Sequence, residues 1–236
     1  MCTVSFVKSQ NKIVITSNRD EKVFRPNAIA PQSYTINSKK VFFPKDPKAG
    51  GTWYAVSENG TIVVLLNGAD EKHHTKPSYS RSRGLIVLDI VSADSAKDAW
   101  ELIDLQDIEP FTLVVYQNQL LYQFRWNEIE KSIIKLDLNK PHIWSSSTLY
   151  SKEIRQERSD WFFEFMKSNS EITPDKLLNF HQHTKEENSQ NGLVINRDND
   201  MKTLSITQSV ILNDEVILSH LDLQNQIKSS QIIHTI

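Results

Sequence analysis

The 236-residue chain has little cysteine and no long apolar run, and each shortage excludes a class of protein. Its single cysteine cannot form an internal disulfide, which argues against a secreted, disulfide-stabilised domain. The longest apolar stretch, Ile62 to Leu66, is far shorter than the roughly 20 residues of a membrane-spanning helix. No basic and apolar signal segment opens the sequence. We therefore expect a protein without a membrane span that stays in the cytoplasm.

The chain also lacks an excess of either positive or negative charge. Lys and Arg total 27 and Asp and Glu total 29, so the net charge is only −2. This balance does not favour binding to nucleic acid or to an anionic membrane surface. The hydrophobic content of 39% suffices for one core, and neither a repeat nor a linker interrupts the chain. We expect a single domain over residues 1–236, of an oligomeric state that the sequence does not define.

Runs of β-branched and apolar residues separated by turn residues predict two hairpins in the first third of the chain. Residues 3–7 and 13–16 flank a polar turn, and residues 53–57 and 61–66 flank Asn59-Gly60, a strong hairpin signal. Residues 25–47 are rich in Pro, Ser and Asn, so we expect a loop there with only residues 40–43 extended. Such a long ordered loop would be a candidate for substrate contacts.

Helical and extended segments then alternate in blocks. Helices are predicted at 83–91, at 95–103 with Asp94 or Ser95 as N-cap, at 157–167, and at 174–181 with Thr173 as N-cap. Strands are predicted at 111–116, 120–126, 132–136, 193–196, 204–212 and 215–221. Blocks of this kind are typical of an α+β domain with antiparallel sheets that carry helices on their outer faces.

The register of the first hairpin gives a candidate site. If Gln10 and Asn11 form its tip, residues whose numbers sum to 21 face each other, which places Cys2 opposite Arg19. A guanidinium next to a thiol would lower the pKa of that thiol. In the second hairpin a sum of 119 places Thr52 opposite Asn67, next to Gly50-Gly51. An amide side chain and uncrowded backbone N–H groups are components of an oxyanion site.

Five motifs stand out in the first 90 residues or so. They are Met1-Cys2-Thr3, Ser17-Asn18-Arg19-Asp20-Glu21, Gly50-Gly51-Thr52-Trp53, Leu66-Asn67 and Ser82-Arg83-Gly84-Leu85. With these motifs the chain resembles the NRDE family, which includes transport and Golgi organisation protein 2 and is similar to the cysteine N-terminal-nucleophile (Ntn) hydrolases of the choloylglycine hydrolase type. Cys2 with the Asn-Arg-Asp-Glu run at this distance is the most specific feature, and the resemblance weakens after these first 90 residues.

The resemblance implies a four-layer αββα sandwich with an Ntn hydrolase-like fold. It also implies that Met1 is removed and that Cys2 then supplies a thiol nucleophile and an α-amine that acts as its base. Arg19 would position a substrate carbonyl or stabilise the thiolate, Asp20 would orient the α-amine, and Asn67 would contribute to the oxyanion hole. Substrate contacts are expected from Asn18, Gly51, Thr52 and Trp53.

Two departures from the family pattern bear on these roles. Asp20 follows Arg19 directly and would face the opposite side of a regular strand, so we expect a twist or turn there. The family's mid-chain asparagine and late-strand arginine have no clear counterparts, because the corresponding stretches are Ser145-Ser146-Ser147 and Met201-Lys202-Thr203.

Structural alternatives exist for each candidate. Cys2 could be a small apolar strand residue, Asn18 a turn cap, Asn67 a strand terminator and Trp53 a core residue. Arg19-Asp20-Glu21 could be a solvated cluster, and charges at a strand end contribute only about 0 to 1 kcal/mol to stability. No metal or other cofactor is expected, because His73-His74 and His181-Gln182-His183 lack a carboxylate or thiol pattern that would hold an ion.

Two classes of function remain open from the sequence, and both have a small-molecule partner. The first is a hydrolase that cleaves a non-peptide amide or a thioester through an acyl-Cys2 intermediate. The second is a protein on the same fold that carries a lipid, acyl-CoA or haem-like ligand. Polar groups that converge on Cys2 would favour the enzyme, and a large apolar cavity would favour the carrier.

Overall fold

The computed structural model describes residues 3–198 and 200–235, which form two antiparallel sheets and four helices. In chain order the strands are β1 (Thr3–Ser9), β2 (Lys12–Lys22), β3 (Ile29–Ile36), β4 (Lys39–Lys45), β5 (Tyr54–Ser57), β6 (Ile62–Asn67), β7 (Phe111–Gln117), β8 (Leu120–Trp126), β9 (Lys131–Leu136), β10 (His142–Ser145), β11 (Asn196–Arg197), β12 (Met201–Leu212), β13 (Glu215–Asp222) and β14 (Ile227–His234). The helices are α1 (Arg83–Val91), α2 (Ala96–Leu102), α3 (Lys152–Ser168) and α4 (Pro174–His183). The predicted α+β class is confirmed.

The chain divides into two compact units. The first contains the described residues up to Arg25 together with Asn139–Ile233, and the second contains Pro26–Leu138 with the residues from His234 on. This division does not test the prediction of a single domain, which stays a prediction. No helix among the described residues has the length and apolar character needed to cross a membrane.

The sheet of the first unit has the order β10-β1-β2-β12-β13-β14, with β11 attached to β12. Helices α3 and α4 pack on one face of this sheet, where Phe162 and Leu177 join Val14 and Val210 in one apolar cluster. Helix α4 begins as predicted, with the Thr173 side chain accepting from the Lys176 N–H. Helix α3 begins earlier than predicted, with the Ser151 side chain accepting from the Ile154 N–H, because Ile154 is the one apolar residue before Trp161 and gives no helical periodicity by itself.

The sheet of the second unit is a meander in the order β3-β4-β5-β6-β7-β8-β9. Helix α1 packs on β5 and β6. In α2, Trp100 is fully buried and its ring stacks on Phe124 at 5.2 Å between centroids. Both helices were predicted, and Ser95 is the N-cap of α2.

The prediction of a loop over residues 25–47 is wrong. Most of that segment is the hairpin of β3 and β4, joined by Asn37 and Ser38, which both have positive φ angles of 47° and 65°. Strand β3 lies at the sheet edge and is largely exposed, so it lacks the apolar alternation that a sequence search requires. The edge strands β10 and β14 were missed for the same reason, since neither has fully buried alternate positions.

The two hairpin registers had different outcomes. In the first hairpin the pairs from Thr3 with Asn18 to Ser9 with Lys12 all sum to 21, as predicted. In the second, Tyr54 pairs with Val64 and the sum is 118, so the predicted pairing of Thr52 with Asn67 is wrong by one residue. The turn there contains three residues, closed by a bond from the Gly60 N–H to the Ser57 carbonyl, and Gly60 is the residue with positive φ.

Candidate functional site

The candidate site is built at the open end of the first hairpin. Cys2 lies outside the described residues, and Thr3, which follows it, pairs with Asn18 on β2. Arg19 and Asp20 come next on β2 and are only 2% and 3% exposed. The alternative of a solvated charge cluster is therefore wrong for these two residues. A buried carboxylate and a buried guanidinium both require polar partners.

The carboxylate of Asp20 is held by two hydroxyl groups. Thr203 donates to one oxygen at 2.5 Å, and Tyr150 donates to the other at 2.7 Å. The pairing of β2 with β12 shifts at this point, from Thr203 with Asp20 to Ser205 with Arg19, so Leu204 is an extra residue in β12. The predicted twist or turn in the chain at Arg19 and Asp20 is not present, because β2 continues as a strand through both residues to Lys22, and the bulge lies in the partner strand β12 instead.

Tyr150 is itself fixed by two cations. The Arg158 guanidinium lies 3.6 Å from the centre of the Tyr150 ring, and that of Arg197 lies 5.1 Å from it. Such contacts with the negative face of an aromatic ring are attractive. These two contacts, together with the bond from its hydroxyl to Asp20, restrict the position of the Tyr150 ring.

Arg158 also contacts the first described residue of the chain. It is fully buried on α3, and its Nη1 donates to Thr3 Oγ1 at 2.6 Å. Its remaining bonds go to the backbone carbonyls of Asn191, at 3.2 Å, and Gly192. One guanidinium therefore joins the start of β1 to the ring that supports Asp20.

Asn18 faces the helices and not the side of Arg19. Its amide donates to the carbonyls of His181 and Leu193 at 3.0 and 2.7 Å, and its oxygen bonds the His181 Nδ1 at 2.5 Å. The other nitrogen of His181 bonds Ser5 Oγ at 2.7 Å. Burial, with the nearby Arg158 charge, lowers the pKa of His181 to about 3, so the ring is neutral. These contacts anchor β1 and β2 on α4 and do not test the predicted substrate contact of Asn18.

The opposite face of the sheet carries Arg19 in a polar row. The pairs Arg19 with Ser205 and Ser17 with Thr207 lie next to each other along β2 and β12. His220 bonds Thr207 at 2.9 Å, and its pKa falls to about 4 through burial, which Asp222 opposes and Arg19 reinforces. Within the part of the chain that the structure describes, the hydroxyls of Ser17 and Ser205 are buried without a hydrogen-bond partner.

The glycine motif of the second unit has a packing role. A Cβ atom on Gly51 would lie 2.6 Å from the Gly84 oxygen and 2.7 Å from the Leu85 nitrogen at the start of α1. The Thr52 N–H donates to the Gly84 carbonyl at 3.1 Å, and the Thr52 hydroxyl donates to Pro44. The motifs Gly50-Gly51-Thr52-Trp53 and Ser82-Arg83-Gly84-Leu85 therefore meet backbone to backbone. Trp53 is buried, and the substrate contacts predicted for this motif stay predictions.

Asn67 ends β6 opposite Phe111 and is half-buried. The following Gly68 has a φ of 84°, and its N–H donates to the Pro110 carbonyl, so the chain leaves the sheet there. Asn67, Gly51, Thr52 and Trp53 belong to the second unit, whereas Arg19 and Asp20 belong to the first. The predicted oxyanion role of Asn67 is not tested by these contacts.

Sequence patterns missed four residues around the site: Tyr150, Arg158, His181 and His220. One signal was available for Arg158, which lies four residues before Phe162 and so shares the buried face of α3. An arginine on the apolar face of a helix indicates a specific buried partner. His181 had been considered only as a metal ligand, and its role in holding β1 and β2 depends on contacts distant in sequence.

Elsewhere in the described residues, a binding site could be formed by metal ligands or by a cavity. In the described segments, no group of three or more His, Cys, Asp or Glu side chains is placed to hold a metal ion. A cavity of about 300 Å³ in the second unit is lined by Leu105, Trp126 and charged residues that include Lys76 and Glu128, which pair at 3.1 Å. None of the predicted site residues that the structure describes lines this cavity.

Comparison with solved structures identifies the fold. The chain is similar to the Caenorhabditis elegans ortholog of N-acylethanolamine-hydrolyzing acid amidase, with a TM-score of 0.61 and 12% identity over 88% of this chain and 92% of that one. It is also similar to the C2A mutant of conjugated bile acid hydrolase from Clostridium perfringens, with a TM-score of 0.56 and 9% identity over 98% of this chain and 92% of that one. These proteins are Ntn hydrolases, so the predicted Ntn hydrolase-like fold is confirmed.

The family of the chain follows from comparison of its sequence with known families. A search of curated proteins found no significant match. The family profile described as Transport and Golgi organisation 2 matches residues 1–217, which is nearly the whole chain and includes the hairpin and both glycine motifs. The chain therefore belongs to the Transport and Golgi organisation 2 family.

Proposed function

We propose that this protein is an Ntn-type cysteine hydrolase that cleaves a non-peptide amide or a thioester through an acyl-Cys2 intermediate after removal of Met1. The observation that carries the proposal is the burial of both Arg19 and Asp20 at the open end of the first hairpin, where these neighbours in β2 point to opposite faces of the sheet. Asp20 is held by two hydroxyl donors, which is the fixed geometry that a catalytic carboxylate needs. We place this activity in the cytoplasm.

The N-terminal residue supplies suitable chemistry. An α-amine titrates near pH 7.7 to 8.0 and a thiol near pH 8.5, so a modest favourable shift gives a thiolate and an ammonium at neutral pH. The thiolate attacks the substrate carbonyl, and the α-ammonium protonates the leaving amine as the C–N bond breaks. Water, deprotonated by the α-amine, then hydrolyses the acyl thioester and releases a carboxylic acid and the free thiol.

The surrounding residues have distinct proposed roles. Arg19 positions the substrate carbonyl or stabilises the thiolate, and Asp20 orients the α-amine. Asn67 contributes to the oxyanion hole. The names of the two similar structures, an acylethanolamine amidase and a conjugated bile acid hydrolase, favour an acyl conjugate as substrate. We therefore propose N-acyl amides as the first class to test, with acyl thioesters second.

Mass spectrometry of the intact protein tests the proposal directly. Mature protein would be incubated with a panel of N-acyl ethanolamides, N-acyl amino acids and acyl thioesters. We expect a mass increase equal to the acyl group, located on Cys2, and its disappearance as free acid accumulates. Cys2→Ala is the matched control and should give no adduct. Tight binding of a lipid, acyl-CoA or haem-like ligand without any adduct or free acid would contradict hydrolysis and support the carrier function.

A further inference from the structure

The contacts of Arg158 are unusual for a buried cation. No part of the side chain reaches solvent, and among the described residues no carboxylate lies within 4 Å of its guanidinium. Its charge is instead met by Thr3 Oγ1, by two backbone carbonyls and by the face of the Tyr150 ring at 3.6 Å. Neutral partners offset the loss of hydration of a cation less well than a carboxylate does. Packing alone would be served better by an apolar residue.

Tyr150 extends this arrangement to the carboxylate. Its ring lies against Arg158, and its hydroxyl donates to Asp20 at 2.7 Å. A cation over a phenol ring draws electron density from the O–H group, which makes that group a stronger donor. A continuous series of contacts therefore runs from Thr3 through Arg158 and Tyr150 to Asp20, and every member of it is at least 97% buried.

This series joins two parts of the proposed site whose side chains are not oriented by the backbone pairing of β1 with β2 alone. Thr3 is the residue directly after Cys2, and Asp20 is the proposed partner of the α-amine. The sheet hydrogen bonds set the distance between β1 and β2, but side-chain directions depend on side-chain contacts. Arg158 defines the position of Thr3, and Tyr150 defines the position of the Asp20 carboxylate.

We infer that Tyr150 and Arg158 are positioning residues that hold Asp20 and the start of β1 in one fixed geometry. Tyr150 does so through its bond to Asp20, and Arg158 through its contact with the Tyr150 ring and its bond to Thr3. The inference rests on the proposed function, because it assigns these residues to the same site. Both act through Asp20 and Thr3, and neither is assigned a contact with substrate.

The test uses variants that each remove a single contact. Tyr150→Phe keeps the ring against Arg158 but deletes the bond to Asp20, and Thr3→Val keeps the shape of Thr3 but deletes the bond from Arg158. The rate of Cys2 alkylation by iodoacetamide would be measured from pH 5 to pH 10 on mature protein. The midpoint of the resulting rate–pH profile reports the pH at which half of Cys2 is ionised. We expect both variants to shift this midpoint to higher pH and to react about threefold to tenfold more slowly at pH 7.

Matched controls separate positioning from folding. Tyr122→Phe removes a phenol hydroxyl from β8 in the second unit and should leave the profile unchanged. Thr3→Ser keeps a hydroxyl for Arg158 and should restore the parent midpoint. With an N-acyl amide that the protein hydrolyses, Tyr150→Phe should lower kcat with little change in KM, because substrate contacts are intact.

The outcomes distinguish this inference from the proposed function. A low parent midpoint that is unchanged in folded Tyr150→Phe and Thr3→Val would overturn the inference and leave the hydrolase proposal standing. A low parent midpoint that both variants raise, without hydrolysis of any acyl donor, would support the inference and count against hydrolysis. A parent midpoint equal to that of free cysteine would overturn both.

Discussion

Buried histidines make the stability of the first unit depend on pH. Burial and the Arg158 charge lower the pKa of His181 to about 3, and burial is also the main cause of the low pKa of His220, about 4. Both rings stay neutral in the folded protein over most of the acid range, whereas in the unfolded chain they take up a proton near pH 6.5. Between the pKa of each ring in the folded protein and pH 6.5, the unfolded state therefore binds more protons than the folded state.

We expect the free energy of unfolding to fall as the pH is lowered from about 6.5 toward 4, with up to about 1.4 kcal/mol per pH unit from each histidine. In His181→Gln one of these contributions is absent, so its stability should depend less steeply on pH even though its absolute stability is lower. Urea unfolding at pH 4.5, 5.5, 6.5 and 7.5 measures both slopes. His74→Gln, at an exposed position, is the control. Equal slopes in the parent and His181→Gln would contradict the assignment.

Thr203 connects Asp20 to the chain segment before β12. Its hydroxyl donates to Asp20 at 2.5 Å and accepts from the Ile195 N–H at 2.9 Å. Thr203→Val should lower the free energy of unfolding by about 1 to 3 kcal/mol, because it leaves a buried carboxylate oxygen and a buried N–H without this partner. Thr203→Ser keeps the hydroxyl and should lose much less. Chemical denaturation compares the two, and a loss in Thr203→Val no larger than that in Thr203→Ser would contradict the contribution of the hydroxyl bonds.

At the scale of elements, local patterns predicted the helices and the central strands but not the edges. The first hairpin register was correct because a short polar segment around Gln10 and Asn11 separates two β-branched and apolar runs, which leaves little freedom in where the turn lies. The second was wrong by one residue because Asn59-Gly60 suits both a two-residue and a three-residue turn, and the dipeptide does not distinguish them. Strands β3 and β14 were missed because an exposed edge strand has no apolar face to detect.

The close approach of two backbones predicts a specific sensitivity at the start of α1. Gly51→Ala should lower the free energy of unfolding by several kcal/mol, since its Cβ would lie 2.6 Å from the Gly84 oxygen and neither backbone can move freely. Gly50→Ala is the comparison, because Gly50 has open space around it but a φ of 72°. That strain costs only about 1 to 2 kcal/mol. Urea denaturation ranks the two variants, and a milder effect of Gly51→Ala would contradict the backbone packing.

At the scale of the whole molecule, motifs from the first 90 residues were sufficient to predict the family and the fold. The similarity to solved structures covers 88% to 98% of the chain at identities near 10%, so the architecture persists where sequence likeness is lost. The supporting contacts of Asp20 could not be predicted in this way. Tyr150, Arg158 and Thr203 lie 130 or more residues from it, and although the helix position of Arg158 indicates a buried partner, no local sequence identifies which residue that partner is.

The state of the N-terminus should decide whether the molecule has a site at all. The proposed function needs a free α-amine on Cys2, and this residue is small enough for the aminopeptidase that removes Met1. Protein from its native cells should therefore begin at Cys2, which intact mass analysis would show.

A protein with an uncleavable N-terminal extension keeps the thiol and β1 but lacks the amine, so it should fold and bind ligand yet form no acyl adduct. Its Cys2 alkylation midpoint should lie above that of the mature protein, and Arg19→Leu should also raise the midpoint because it removes a cation. The amine and the thiol titrate together, so each midpoint belongs to the pair. Three superimposable profiles near the roughly 8.5 of free cysteine would mean that Cys2 is not activated, and intact Met1 on the native protein would exclude the Ntn mechanism.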